Sequence, residues 1–407
     1  MTFDIALTGI NAASTQLETI SNNIANNATT GFKRSRASFA DVYAVSTFGA
    51  TNPAVGQGVR ISGITQEFHQ GDTTFTNNNL DLSVEGLGMF RLMDNGSPIY
   101  TRAGNFALDR EGFIVNASGN RLTGYRTNNL DQIEPIADDL RIDYSDLQPR
   151  ASTTVELSMN LDIKDPVLPP FDVTDASTFN FSTSTTVYDS LGSAQLANVY
   201  FHKDAPNTWS TFTYVDGVEI SQVGGDELVF DTSGLVQSVN GSPGGDFTTN
   251  TYTPVSNAEP MSLTFQLQEL TQFDNSFGVN KVVQDGYAAG RLEDFDVDPG
   301  GIIFGRFSNG QAKTMGQITL TTFPNLQGLR QIGDTSWTET FSSGEPATGE
   351  PGSASLGQLQ AGSLEGSNVD ITQELVSMIG AQRSFQANAQ VISTGDTLTQ
   401  TVINIRR

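Results

Sequence analysis

Apolar positions recur at helical spacing at both ends of the chain. In residues 1–27, Phe3, Ile10, Leu17 and Ile24 lie seven apart, and Ala6, Ala13 and Ile20 fall three residues after the first three. This 3-4 alternation predicts a helix carrying the seam of a coiled coil. Its other face is Ser, Thr, Asn and Gln, without the Glu–Lys pairs that stabilise a free helix, so alone it is marginal. At the other end Ile371, Met378, Phe385 and Ile392 lie seven apart, Leu375 and Ala389 fill the flanking position, and Gln382 is a polar exception. Past Gly395 the stripe moves to Leu398, Val402 and Ile405, in line with Val391. Ser367 or Asp370 is positioned to cap this helix, and Arg406 and Arg407 suit its C-terminal dipole. One reading packs both helices on a globular core. The other pairs them with each other and with copies of themselves, and is favoured because a core helix need not sit at a chain end.

Between the helices the pattern changes to strands and turns. Asn95-Gly96, Asp216-Gly217, Asn240-Gly241, Asp285-Gly286 and Asn309-Gly310 are tight-turn dipeptides, and Asp298-Pro299-Gly300 is a further turn signal. Short apolar segments such as 89–92, 199–201 and 318–320 separate them. Asp165 through Pro170 reads as a boundary or an extended segment, residues 33–70 as irregular, and 344–362, rich in Gly, Ser, Pro and Ala, as a linker. The predicted fold class is multidomain and mainly β with α-helical termini, the terminal helices pairing as a coiled coil and β-rich domains nested between them.

At 407 residues the chain has room for two or three domains. The formal net charge is −24, which argues against nucleic acid or anionic membrane as the main partner. Residues 148–284 hold 16 acidic and 4 basic residues, so half of that charge sits in a third of the chain, as expected of an outward, solvated domain. With no cysteine, disulfides, Cys-ligated metals and thiol nucleophiles are excluded. No apolar run is long enough to span a membrane, and the first Lys is Lys33, so neither membrane insertion nor a cleaved secretory signal is expected.

Candidate chemistry is thin. Asp294-Phe-Asp-Val-Asp298 begins like a calcium loop, but Pro299 and Gly305 stand where Gly and Glu belong, and the alternation suits a half-buried strand. His69 and His202, the two histidines, have no second ligand at matching spacing and read as surface or satisfied residues. Nucleotide-binding, hydrolase and zinc motifs do not occur. No catalytic, cofactor-binding or metal residue is assigned, and no cofactor is expected. Lys33, Arg34 and Arg36 form a basic cluster, read as a solvated face beyond a helix end or as a contact with an acidic neighbour.

Three segments carry a family resemblance. Asn22-Asn23-Ile24-Ala25-Asn26, with Thr30-Gly31-Phe32-Lys33 and Ser38-Phe39-Ala40-Asp41, resembles the N-terminal signature of bacterial flagellar rod and hook axial proteins. Ser367-Asn368-Val369-Asp370, followed by Glu374-Leu375-Val376, Met378-Ile379, Ala381-Gln382-Arg383 and Gln386-Ala387-Asn388-Ala389-Gln390, is similar to the terminal signature of the same family. Tyr100-Thr-Arg-Ala-Gly104 through Gly124 resembles its shared β segment. The middle of the chain, including Thr186-Val-Tyr-Asp-Ser190 and 281–310, resembles the hook members more than the shorter rod members; the stretch 44–58, with Asn52-Pro53, departs from the pattern by its length.

The resemblance implies a structural protein, not an enzyme: a subunit of a curved, flexible hollow tube that transmits torque from the motor and rod to the filament. It implies an inner coiled-coil domain from 1–32 and 366–407, linkers at 33–70 and 345–365, a β domain from 71–147 and 285–344, and an outer β domain at 148–284. The expected seam between subunits is Phe3, Ile10, Leu17, Ile20, Ile24, Ile371, Leu375, Met378, Phe385, Ile392, Leu398, Val402 and Ile405. The implied partners are copies of the chain, the rod, hook-cap and hook–filament junction proteins, and the flagellar type III export apparatus; the implied location is the extracellular hook, reached without a cleaved signal peptide. A distal rod protein remains the near alternative, and an extracellular β-rich adhesin or glycosidase the distant one.

Overall fold

The computed structural model describes residues 2–42, 56–128 and 131–405, and the side chains of all of these except Thr2 and Val402. The long 44–58 stretch with Asn52-Pro53, and Arg406 and Arg407, fall wholly or largely outside the described residues. The chain divides into two compact units: residues 1–144, 294–306 and 312–407, and residues 145–293 with 307–311.

The first unit holds both terminal helices. Helix α1 runs Thr2–Ala25 with Asp4 in its first turn, where a carboxylate suits the helix dipole. Asn23 ends it. Its Nδ2 donates to the Ser35 carbonyl at 2.8 Å and its Oδ1 accepts from the Ser35 N–H at 2.9 Å, which folds the following chain back along the helix. Helix α2 runs Ile371–Ile405. Of the two expected caps Asp370 serves: its Oδ1 accepts from the N–H groups of Thr372 and Gln373 at 2.8 and 3.2 Å.

The helices pack together antiparallel, with the Phe3 ring over Gly395 and Asn388 against Gly9. A methyl group on Gly9 would come within 2.7 Å of the Asn388 side chain, and one on Gly395 within 3.0 Å of the Phe3 ring.

Residues 33–70, read from sequence as irregular linker, contain an antiparallel ribbon of β1 (Ser35–Asp41) and β2 (Val59–Gln66). Its polar residues do not alternate cleanly with apolar ones because this two-stranded ribbon has no other sheet partner and no dry face. The expected linker 345–365 also holds paired strands: Ala347–Gly349 with Leu320–Thr322, Gln358–Ala361 with Leu82–Glu85, and Ser363–Glu365 with Thr73–Phe75. Small residues there permit close backbone approach rather than flexibility.

The rest of the first unit is a 13-stranded antiparallel system. Ile302–Phe307, Ala312–Ile318, Arg121–Thr127, Met89–Asp94, Ser97–Thr101 and Ser336–Thr338 succeed one another across it. Phe90, Leu92, Ile114 and Leu122 on its strands are fully buried, as are Leu82 and Val84 on the separate pair of Leu82–Glu85 with Gln358–Ala361. A smaller cluster joins Met89, Tyr100, Phe323 and Trp337, with the Tyr100 and Phe323 rings edge to face at 4.7 Å.

The second unit is a β-sandwich. A seven-stranded antiparallel sheet built on Phe181–Tyr188, Ala194–Ala205 and Thr208–Val215 shares one core with a four-stranded sheet containing Thr154–Asn160 and Gly278–Gln284. Trp209, Phe201, Phe265 and Leu228 are fully buried between them. The segment Asp165–Pro170 lies inside this unit, and Phe171 just after it stacks on Phe212 with ring centres 3.9 Å apart.

Asn95, Asp216 and Asn240 take positive φ and each is followed by a glycine of positive φ, the signature of two-residue hairpin turns. Asp285-Gly286 is different. Asp285 accepts from the N–H groups of Thr153 and Thr154, and a side chain on Gly286 would strike the Ser152 backbone at 2.6 Å. The dipeptide marks a close crossing of two segments, not a hairpin.

Candidate functional site

The helix pair presents two unlike faces. Toward the partner helix α1 buries Ala6, Ala13 and Ile20, while α2 buries Glu374 and Ala381 and half-buries Met378, Asn388, Ile392 and Gly395. The seam inside the chain is thus lined mainly by small or polar residues, which let the helix axes approach closely.

Of the expected seam, Ile20 is buried and Ile10, Leu17, Ile24, Met378 and Ile392 are half-buried. Phe3, Ile371, Leu375, Phe385, Leu398 and Ile405 are exposed, and the side chain of Val402 lies outside the described residues. Ile20 thus lies inside the chain's own packing, the half-buried residues border it, and the exposed ones form an outer apolar surface, with the Phe3 ring also touching Gly395 of α2. Leu7, Val376, Ile379 and Val391 add to that outer apolar surface.

Helix α2 also outruns its partner. Phe3, at the start of α1, lies against Gly395, so residues 396–405 extend about 15 Å beyond the pair. On this overhang Leu398 is 63% and Ile405 79% exposed, and with Val391 they lie seven apart. Thr394, Thr397, Thr399 and Thr401 each donate their hydroxyl to the carbonyl four residues earlier. Their hydroxyl donors are thus satisfied within the helix, so covering these threonines leaves no donor unpaired.

Where the helices meet the β structure the chain builds a buried polar cluster. Lys33 Nζ donates to Glu365 Oε1 at 2.6 Å and to the His69 carbonyl at 2.8 Å. Arg102 Nη1 donates to Glu365 Oε2 at 3.2 Å and to the Val84 carbonyl at 3.0 Å, and its Nη2 donates to the Gly86 carbonyl. The Gly71 N–H gives Glu365 Oε1 a further bond at 3.1 Å. The side chains of Lys33 and Glu365 are wholly buried. Burial pushes the Lys33 ammonium below its ordinary range, and the Glu365 charge only partly offsets this; burial likewise lowers the Arg102 guanidinium.

A second tier surrounds this cluster. Arg34 Nε pairs with Glu374 at 2.6 Å, the Arg34 N–H donates to Asn368 Oδ1 at 2.7 Å, and Asn368 Nδ2 donates to the carbonyls of Glu67 and His69 at 2.7 and 3.0 Å. The basic cluster of the sequence is therefore not a solvated face, except at Arg36, which is exposed and 3.9 Å from Glu67. Phe32 is buried beside it. Gly31 is required twice over: its φ is +69°, and a methyl group there would sit 2.5 Å from the Ala103 backbone nitrogen.

The remaining signature residues are dispersed. Asn22 and Asn26 line an open polar cleft of about 480 Å³ with Asn105 and Asp334. Gln382, Arg383 and Gln390 are exposed on α2, away from the polar cluster. Arg102, Glu365 and Glu67 were not singled out from sequence, whereas Glu374 lay within the C-terminal signature. Arg102 did lie inside the quoted Tyr100–Gly104 segment, whereas Glu365 carries no local signal.

The other candidates take structural roles. His202 Nδ1 faces the Thr178 carbonyl at 2.7 Å in a buried position, and His69 contributes only its backbone carbonyl to the cluster. Asp294 and Asp296 lie on the strand Leu292–Val297; Asp296 pairs with Arg306 at 2.7 Å, and Asp298 accepts from the Ile302 N–H within a turn. Among the described residues no group of His, Asp and Glu is arranged to hold a metal ion, and no helix is long and apolar enough to cross a membrane.

Comparison with known proteins says to which class these outward apolar helices and this polar clamp belong. Residues 3–33 match the family of flagella basal body rod proteins, 83–160 the D1 domain of flagellar hook protein FlgE/F/G, 157–287 the D2 domain of flagellar basal body protein FlaE, and 360–405 the C-terminal segment of flagellar basal body rod FlgEFG proteins.

The flagellar hook protein FlgE of Salmonella typhimurium is 40% identical over 418 residues, covering 100% of both chains. That of Escherichia coli is 39% identical over 417 residues, again covering 100% of both. That of Borreliella burgdorferi is 32% identical over 436 residues, covering 98% of each. The crystal structure of flagellar hook protein FlgE2 from Helicobacter pylori shares the fold, with a TM-score of 0.55 at 16% identity over 72% of this chain and 100% of that one. The class is therefore that of the axial structural proteins of the bacterial flagellum. The chain belongs to the flagellar hook protein FlgE family: it is a structural component of the flagellar hook, not an enzyme.

Proposed function

We propose that copies of this chain polymerise through the outer faces of α1 and α2 into a curved, flexible hollow tube that carries torque from the rod to the filament. The observation that carries this is the exposed apolar surface of α2, above all Val391, Leu398 and Ile405 on and beside a helical overhang that α1 does not cover. A heterologous interface whose rotation does not close a ring extends as a helical filament.

In this reading 1–32 and 366–407 line the channel, 71–147 with 285–344 surround them, and 148–284 lies outermost. Of the expected seam, the exposed Phe3, Ile371, Leu375, Phe385, Leu398 and Ile405, together with Val402, are the residues offered to neighbouring copies; Ile20 is buried within the chain, and the half-buried Ile10, Leu17, Ile24, Met378 and Ile392 border that outer surface. Rod, hook-cap and hook–filament junction proteins are the end partners, and export runs through the flagellar type III apparatus without a cleaved signal peptide. The abundant Ser and Thr of 148–284 support small slides between outer domains as the source of bending.

The test compares the full-length chain with one lacking 1–32 and 366–407, by light scattering at rising concentration and by electron microscopy. Tubes from the full-length chain alone support the reading. Tubes from the truncated chain, or none from either, would contradict it.

A further inference from the structure

The helix pair is joined to the β structure of its unit by two stretches of chain only, residues 26–34 and 366–370. The buried cluster bonds the first stretch to Glu365, the strand residue that immediately precedes the second, and ties this pair to three further segments. Lys33 reaches Glu365 and the carbonyl of His69; Glu365 reaches Arg102 and Gly71; Arg102 reaches Val84 and Gly86. Asn23 locks the end of α1 to Ser35, and Asn368 locks the entry to α2 to Arg34, Glu67 and His69.

Such a cluster is poor evidence for stability, because apolar residues of similar volume often serve a fold as well as a buried ion pair does. What apolar packing lacks is direction. Charge-assisted hydrogen bonds fix angles as well as distances. The other brace on α1 is the ribbon of β1 and β2, whose Val59 N–H meets Thr8 Oγ1 at 3.3 Å; having no further sheet partner, that ribbon cannot set the direction alone.

We propose that Lys33, Arg102 and Glu365, extended by Asn23 and Asn368, form a rigid coupling that fixes the angle at which the helix pair leaves the β structure. The cluster is a positioning device. It aims the assembly surface of the helices and passes load between helices and β structure without slack. The consequence for load rests on the assembly reading; the angular restraint itself does not.

The measurement uses the full-length protein as a monomer, whose lack of cysteine allows clean labelling. Cysteines are introduced at two exposed sites of the same unit, Glu18→Cys on α1 and Asn95→Cys in a β turn, and the distance distribution between attached spin labels is recorded. The otherwise unaltered chain is expected to give one narrow peak. Lys33→Met with Glu365→Gln, which removes one charge of each sign but leaves Arg102 without its carboxylate, is expected to broaden it while helix content by circular dichroism holds and the β structure still melts cooperatively, at a lower temperature. Asn368→Ala is expected to broaden it less.

A narrow peak in both variants, with the fold intact, overturns the proposal. If the double variant does not fold, Asn368→Ala decides: broadening supports the coupling and a narrow peak overturns it. Failure of the unaltered chain to form tubes would sink the assembly reading and leave this result standing, because the labels are read in the monomer.

Discussion

Lys33 and Glu365, 332 positions apart in the chain, meet in a 2.6 Å ion pair with neither side chain exposed to solvent. The pair closes the loop formed by nearly the whole protein and brings the exit of one terminal helix to the entrance of the other. Its removal on one side is expected to be severe. Glu365→Ala leaves two buried cations without their shared anion, at a cost of about 3–5 kcal/mol. Urea unfolding of the full-length chain measures this, and the double change Lys33→Met with Glu365→Gln, which leaves one stranded cation, Arg102, instead of two, is expected to recover part of the loss.

Two glycines near the helices give opposite expectations. Gly31→Ala forces a side chain into a left-handed conformation and against the Ala103 backbone, so it is expected to destabilise by more than the roughly 1–2 kcal/mol of the conformation alone. Gly380 lies inside α2 with open space around it, so Gly380→Ala is expected to stabilise the monomer by about 1 kcal/mol. Urea midpoints of the two variants check both signs.

In the second unit Asp285 supplies a pH dependence. Burial pushes its carboxyl up, but the bonds from the Thr153 hydroxyl and the N–H groups of Thr153 and Thr154 together outweigh that and hold it below its ordinary value of 3.8. A carboxyl lowered in the folded state contributes stability that is present above the unfolded value and is lost as pH falls through the folded one. Asp285→Asn is therefore expected to lower the melting temperature at neutral pH, with the gap to the unaltered chain shrinking as pH drops below about 4. A gap that stays constant with pH would count against this account.

The insertion that forms the second unit is expected to be removable. Leu147 pairs with Gly290 and Arg150 with Tyr287, so the outgoing and returning strands run side by side. Replacing 151–286 by a short turn is expected to leave the melting of the first unit unchanged. In the assembly reading the resulting tubes lose their pliancy, and tubes that stay curved and pliant by electron microscopy would sink the proposed role of the outer domains.

The sequence exposed the helices because a seven-residue period over 24 and 35 residues is hard to produce otherwise. It exposed three of the hairpins because Asn-Gly and Asp-Gly suit positive φ. It did not say which face of each helix turns inward. The largest apolar residues mark the stripe, yet the closest helix contact forms along Ala6, Gly9, Ala13, Ala381, Asn388 and Gly395, because small side chains let backbones approach. Leu398 and Ile405 are left outside. The polar cluster was half legible. Lys33 and Arg102 lay in quoted segments, but the carboxylate joining them is a single Glu in a Gly- and Ser-rich stretch, and only the pairing of Ser363–Glu365 with Thr73–Phe75 brings it there. The strands of 33–70 and 345–365 escaped notice because their pairing rests on backbone bonds and small residues, with no apolar alternation to reveal them.

The measurement that bears most directly on assembly is a single charge on the exposed overhang. Leu398→Asp touches nothing in the monomer core, so its melting temperature is expected to match that of the unaltered chain, the usual surface effect being within about 0.5 kcal/mol. Scattering at rising concentration and electron microscopy are expected to show no tubes. Tubes forming at the same concentration as the unaltered chain would contradict the claim that the terminal helices drive assembly.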